Sequence, residues 1–157
     1  KKLKAAERER LAALIRERAV SYAICEEDPA VIDRINILEA TKLCMKRAVE
    51  ALSPAPDVVL IDGNFCIDVS MPQQSIVKGD ALSYSIGAAS ILAKVHRDKL
   101  MEAYAAIYPQ YGFAAHKGYG TAAHIKAIRE YGPCEIHRKT FIKKLWAGEG
   151  NSAPRST

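Results

Sequence analysis

Asp62 closes the apolar run Val58-Val59-Leu60-Ile61, and Asp80 follows Val77-Lys78-Gly79, so each acid stands just after a short strand-like run. In open α/β sheets functional groups gather beyond the carboxyl ends of strands, which is where a site crevice forms. Two such carboxylates offer the hard oxygen donors that Mg²⁺ or Mn²⁺ prefers. The alternative for Asp62 is a strand cap or an Asx turn with Gly63 and Asn64, and Asp80 has a similar alternative. A second chemical stretch covers residues 111–119. There Tyr111, Phe113 and Tyr119 offer flat faces, His116 and Lys117 offer donors, and Gly112 and Gly118 permit close backbone approach. That mixture fits sugar-phosphate contact; the alternative is a loop whose aromatic residues anchor it to the core. His137-Arg138-Lys139 forms a further basic cluster, read as a solvated patch. Lys94, Arg97 and Lys99 recur along one helical stretch, with Asp98 as an ion-pair partner among them.

The elements that must position these groups follow from periodicity. Residues 3–18 space Leu3, Ala6, Leu11, Leu14 and Ile15 on one side of an amphipathic helix. Residues 19–25 alternate Val20, Tyr22 and Ile24 and predict a strand. Asp28-Pro29 predicts an N-cap and first helical position, and Asn36 with Glu39 makes a capping-box pair for a helix ending before Ser53-Pro54-Ala55-Pro56. Residues 57–61 predict a strand buried on both faces, and residues 74–78 a second. An Ala/Ile/Leu-rich helix is expected from about 85 to 107, with Gly87 and Ser90 allowing close packing on the sheet. Residues 111–120 predict a loop, and 121–131 a helix stopped by Gly132-Pro133. No internal repeat is present.

The chain has 157 residues, enough for one ordinary domain, and a formal net charge of +5, which suits a polyanionic partner. Its 4 cysteines form no C-x-x-C pair, which argues against a zinc ribbon or a disulfide scaffold and for a reducing, cytoplasmic setting. No apolar stretch approaches the roughly 20 residues needed to span a bilayer, so no membrane partner is expected.

Taken in order, several blocks resemble bacterial ribonuclease HII. They are Leu60-Ile61-Asp62-Gly63-Asn64, Val77-Lys78-Gly79-Asp80, Ala88-Ala89-Ser90-Ile91-Leu92-Ala93-Lys94-Val95 with Arg97-Asp98, Tyr111-Gly112-Phe113 with His116-Lys117-Gly118-Tyr119-Gly120-Thr121, and His137-Arg138 with Phe141. The resemblance implies an α/β, RNase H-like layered fold with a helical C-terminal portion, spanning residues 1–147, with 148–157 a disordered tail. It implies an endonuclease that cuts the RNA strand of RNA–DNA hybrids and nicks 5′ of ribonucleotides embedded in duplex DNA. Hydrolysis would use two Mn²⁺ or Mg²⁺ ions and leave a 5′ phosphate. By position, Asp62 and Asp80 would be the third and fourth carboxylates of a four-carboxylate site, and Asp98 would be structural. Tyr119 would stack on the sugar at the RNA–DNA junction, and Lys117, His116, Gly118 and Lys2 would join it in binding nucleic acid. A monomer is expected. The Asp-Glu pair and Gly-Arg-Gly element that open the family pattern do not occur in this sequence. The expectation is therefore a chain lacking its N-terminal strands; the alternative function is an inactive remnant that at most binds nucleic acid.

Overall fold

The computed structural model describes residues 3–147. Helix α1 (Ala5–Arg18) opens it, followed by extended chain, α2 (Pro29–Ile35) and α3 (Ile37–Glu50). Pro29 takes the first helical position of α2, but the Asp28 side chain makes no capping bond. Asn36 does cap α3: its side-chain oxygen accepts from the N–H groups of Leu38 and Glu39 at 2.9 and 3.1 Å. Glu39 does not reach back to complete a capping box and pairs instead with Lys42.

Strands β1 (Val59–Asp62) and β2 (Gln73–Ile76) are parallel, with Val59 opposite Gln73 and Asp62 opposite Ile76. The link between them is folded back by Gln73, whose amide exchanges two hydrogen bonds with the backbone of Ile67 at 2.8 and 2.9 Å. The one-turn α4 (Gly79–Leu82) leads into the 24-residue α5 (Tyr84–Ile107), capped by the Ser83 hydroxyl. A 3₁₀ turn (Pro109–Tyr111), the one-turn α6 (Phe113–His116), α7 (Ala122–Tyr131) and α8 (Lys139–Ala147) complete the order. Thr121 caps α7 through its hydroxyl.

Side-chain burial divides along α5. Near its start, Leu92 and Val95 close over Ala12 of α1. Val59 and Ile61 of β1 pack with Ile67, Met45 and Val49, which puts α3 against the sheet. Towards its end, Met101 joins Tyr111, Phe113, Ala127, Ile128 and Ile142 in the largest buried cluster. Each buried Val, Leu, Ile, Met or Phe side chain contributes on the order of 1.5–3 kcal/mol by leaving water.

Three expectations are corrected. Residues 19–25 run extended but belong to no strand; among the described residues nothing lies alongside to complete a hydrogen-bonded ladder, and Val20 stays 88% exposed. The sheet of the expected layered fold is thus, among the described residues, a pair of strands. Strand β1 is less buried than expected: Val59 and Ile61 are buried, Leu60 is half-buried, Asp62 is exposed, and Val58 just before the strand is exposed. The strand borders an apolar groove of about 720 Å³ that residues of α1, α3 and α5 also line. The stretch after Pro109 is not an open loop but two short helical turns, because Tyr111 and Phe113 stack on each other in the core. The expected tail at 148–157 lies outside the described residues.

Candidate active site

Asp62 is the last residue of β1, and the chain returns to it through β2. After Ile76 the backbone turns at Lys78, which adopts the left-handed conformation (φ 59°). The next N–H, that of Gly79, donates to Asp62 Oδ1 at 2.9 Å. This bond holds the Asp62 carboxylate against the first turn of α4, where Asp80 follows directly. Glycine at 79 is what permits the approach. A Cβ there would lie 2.6 Å from the Ile86 side chain and 3.5 Å from Asp62 Cα. Behind the same turn, a Cβ on Gly87 would sit 3.3 Å from the Asp80 carbonyl, so the close packing expected of Gly87 serves α4. Both acids are exposed.

The donors are right in kind for a hard divalent cation: carboxylate oxygens at the surface, one already oriented by a backbone N–H. They are few in number. Among the described residues, no group of three or more His, Cys, Asp or Glu is arranged to hold a metal ion.

Tyr119 is 59% exposed, and two cations of α5 stand over its ring, Lys94 Nζ at 5.8 Å and the Arg97 guanidinium at 5.9 Å from the centroid. Lys94 also binds Asp98 at 2.6 Å, and Arg8 of α1 approaches the same carboxylate at 3.5 Å, so Asp98 is ion-paired from two helices. Lys117 and Gly118 are both left-handed, and Arg97 donates to the Lys117 carbonyl at 3.2 Å. The Lys117 ammonium is engaged by Glu102 at 2.5 Å. His116 turns inward: its Nε2 meets the Tyr111 carbonyl at 2.7 Å and its Nδ1 accepts from Gly118 N–H at 3.2 Å. Of the stretch read as a nucleic-acid surface, Tyr119 therefore presents its ring outward, while Tyr111 and Phe113 are core residues. Lys2 lies outside the described residues.

His137 also departs from expectation. It is buried rather than part of a solvated basic patch, and it faces His124, likewise buried, across 3.0 Å. Sequence reasoning did not single out Lys94 and Arg97 as neighbours of Tyr119. Their three-residue spacing on one helix was the available signal. Nothing local signals the histidine pair.

A family model for ribonuclease HII matches residues 1–148. The chain belongs to the ribonuclease HII family. It is 56% identical over 142 residues to the ribonuclease HII of Pelodictyon phaeoclathratiforme, covering 90% of this chain and 69% of that protein. It is 56% identical over 141 residues to that of Geotalea daltonii, covering 90% and 65%. With that of Chlorobaculum parvum the identity is 54% over 147 residues, covering 92% and 72%. The chain thus spans roughly two thirds of the length of these ribonuclease HII relatives. A crystal structure of ribonuclease H2 from Pyrococcus horikoshii superimposes with a TM-score of 0.77 at 21% identity, covering 94% of this chain and 78% of that one. The likeness gives the fold: RNase H2-like, mostly helical here around the β1–β2 pair. Among the described residues no helix is long and apolar enough to cross a membrane.

Proposed function

We propose that this chain carries part of the active site of an endonuclease that hydrolyses the RNA strand of RNA–DNA hybrids and nicks 5′ of ribonucleotides embedded in duplex DNA. What supports the reading most is the Asp62 carboxylate, held by Gly79 N–H beside Asp80 at a strand end, in a chain of the ribonuclease HII family. Asp62 and Asp80 would hold Mg²⁺ or Mn²⁺, which when bound supplies Lewis acidity towards the scissile phosphate and a more acidic water. The remaining work belongs to side chains. The Gly79 N–H holds Asp62 through Oδ1. Tyr119 offers a rigid face to a sugar or base, and Lys94 and Arg97 beside it draw the phosphate backbone onto that face. Contact with a ribose 2′-OH separates RNA from DNA at the junction.

The test is cleavage of a DNA duplex bearing one ribonucleotide, with Mn²⁺ present. The expected product is a nick 5′ of the ribonucleotide with a 5′ phosphate, and Asp62→Asn lowers the rate by at least about 100-fold. A second reading is favoured by one observation, the absence among the described residues of any metal-binding group larger than a pair. Under it the chain binds the duplex and leaves it uncut, and Asp62→Asn changes nothing but affinity.

A further inference from the structure

Three histidines of the C-terminal half, His124 and His137 buried and His116 half-buried, form a network in which every ring nitrogen has a partner. Each partner fixes where the protons are. His116 Nδ1 accepts from Gly118 N–H at 3.2 Å, so its proton is on Nε2, donated to the Tyr111 carbonyl at 2.7 Å. His124 Nδ1 faces the Tyr119 carbonyl at 2.9 Å; a carbonyl only accepts, so this nitrogen carries the proton and Nε2 is left as an acceptor. His137 Nδ1 accepts from Cys134 N–H at 3.0 Å. Its Nε2–H therefore points at His124 Nε2, 3.0 Å away. The Cys134 thiol, 3.1 Å from Nδ1, can donate to the same acceptor. The Cys134 carbonyl at 3.3 Å is farther, and a proton aimed at it would collide with the shorter amide contact. One proton per ring satisfies every one of these contacts.

The end of this chain of bonds is the peptide of Tyr119. Its N–H donates to the His116 carbonyl at 2.9 Å, and its carbonyl accepts from both His124 and Thr121 N–H, the latter at 2.8 Å. His116 stacks on His124, with ring centroids 4.3 Å apart and planes 16° from parallel. An exposed aromatic ring is thereby carried on a backbone fixed from the buried side.

We propose that His124 and His137 are positioning residues for Tyr119: a neutral imidazole pair, sharing one proton between facing Nε2 atoms, that locks the peptide carrying the exposed ring and lets it go when a second proton enters. A second proton would set one N–H against another. The groups facing the pair are His116 from α6, the Tyr111 and Phe113 rings, and the Cys134 thiol from the α7–α8 link. The carboxylates of this region are engaged elsewhere, Glu135 by the Tyr108 hydroxyl and Glu102 by the Lys117 ammonium. Burial pushes both His124 and His137 below the ordinary histidine range, with His116 adding to the effect on each. The neutral pair therefore contributes its full stability above about pH 6.5, and the contribution is lost as pH falls from there through the lowered folded-state values.

The consequence for hybrid binding rests on the role given to Tyr119 above, but the test does not. Long-range ¹⁵N–¹H spectra of the histidine-labelled chain at neutral pH are expected to show the buried pair neutral, protonated at Nδ1 in His124 and at Nε2 in His137. A charged ring, or an Nε2 proton on His124, overturns the proposal and leaves the nuclease reading standing. In hydrogen exchange, His137→Leu is expected to speed the Tyr119 and Thr121 amides by about tenfold or more, while Leu92 and Val95, in the separate cluster under α1, keep their protection. His137→Gln, which restores a donor towards His124, is expected to recover most of the loss. Uniform acceleration across the chain, or unchanged exchange at Tyr119, overturns the positioning role.

Discussion

Tyr119 combines an exposed ring with a fixed peptide, and that combination decides what a single substitution there does. Removing the ring takes away a stacking face without disturbing the core. Tyr119→Ala is expected to weaken binding of a fluorescent RNA–DNA hybrid by about 1–3 kcal/mol in an anisotropy titration, with an unchanged melting temperature. Asp62 was legible in the sequence because an unbroken apolar run followed by Asp-Gly is a strand end by composition alone. Its bond to Gly79 was not, since it joins residues 17 apart through a turn at Lys78. Tyr111 and Phe113 had the same local signature as Tyr119 and ended in the core. Aromatic and glycine content describes a segment that approaches something closely, whether that is a ligand or the protein's own interior. The histidines were illegible for a related reason: His116 and His124 sit on different helices and His137 lies in the link before α8, so only the packing of those elements brings them together.

At the level of elements, helix starts were only partly readable: Asn36 caps α3 as expected, Asp28 makes no capping bond, and Ser83 and Thr121 cap α5 and α7 without having been read as caps. The first turn of α8 is satisfied from far away instead. Asp33 of α2 accepts from Lys139 N–H at 2.6 Å, Thr140 N–H at 3.0 Å and the Thr140 hydroxyl at 2.6 Å. No local pattern announces a cap supplied across more than a hundred residues. The Thr140 hydroxyl, helped by the two N–H groups, holds the Asp33 carboxyl below its ordinary range. A lowered acid stabilises the fold above its unfolded-state value and loses that contribution as pH falls through the folded-state one. Asp33→Ala should therefore lower the melting temperature at pH 7, with the gap to the parent chain narrowing below about pH 4; a gap that stays constant with pH would contradict this. Deeper in the same half, Ile128 is fully buried between Phe113, Ala127 and Ile142. Ile128→Ala is expected to cost about 2–5 kcal/mol in urea unfolding. Residues 19–25 were misread because alternation describes a chain that can pair, and pairing needs a neighbour.

At the scale of the molecule, the described residues form two buried clusters strung along α5 with a third beneath the sheet. The apolar groove between β1, α1, α3 and α5 is open to solvent, with Val58 and Tyr22 on its walls each about half exposed. Elsewhere Leu82 and Tyr84 stand out at 74% and 100% exposed. Apolar surface already wet in the native state is not newly wetted on unfolding. Since the heat-capacity increment of unfolding reports newly hydrated apolar area, calorimetry should return less than the usual 12–15 cal/mol/K per residue or so. The urea dependence should be correspondingly shallow for a chain of this length. A segment or partner that filled the groove would steepen both, so the stability curve of the chain, flat when the groove is bare and more sharply curved when it is covered, becomes a calorimetric measure of its occupancy.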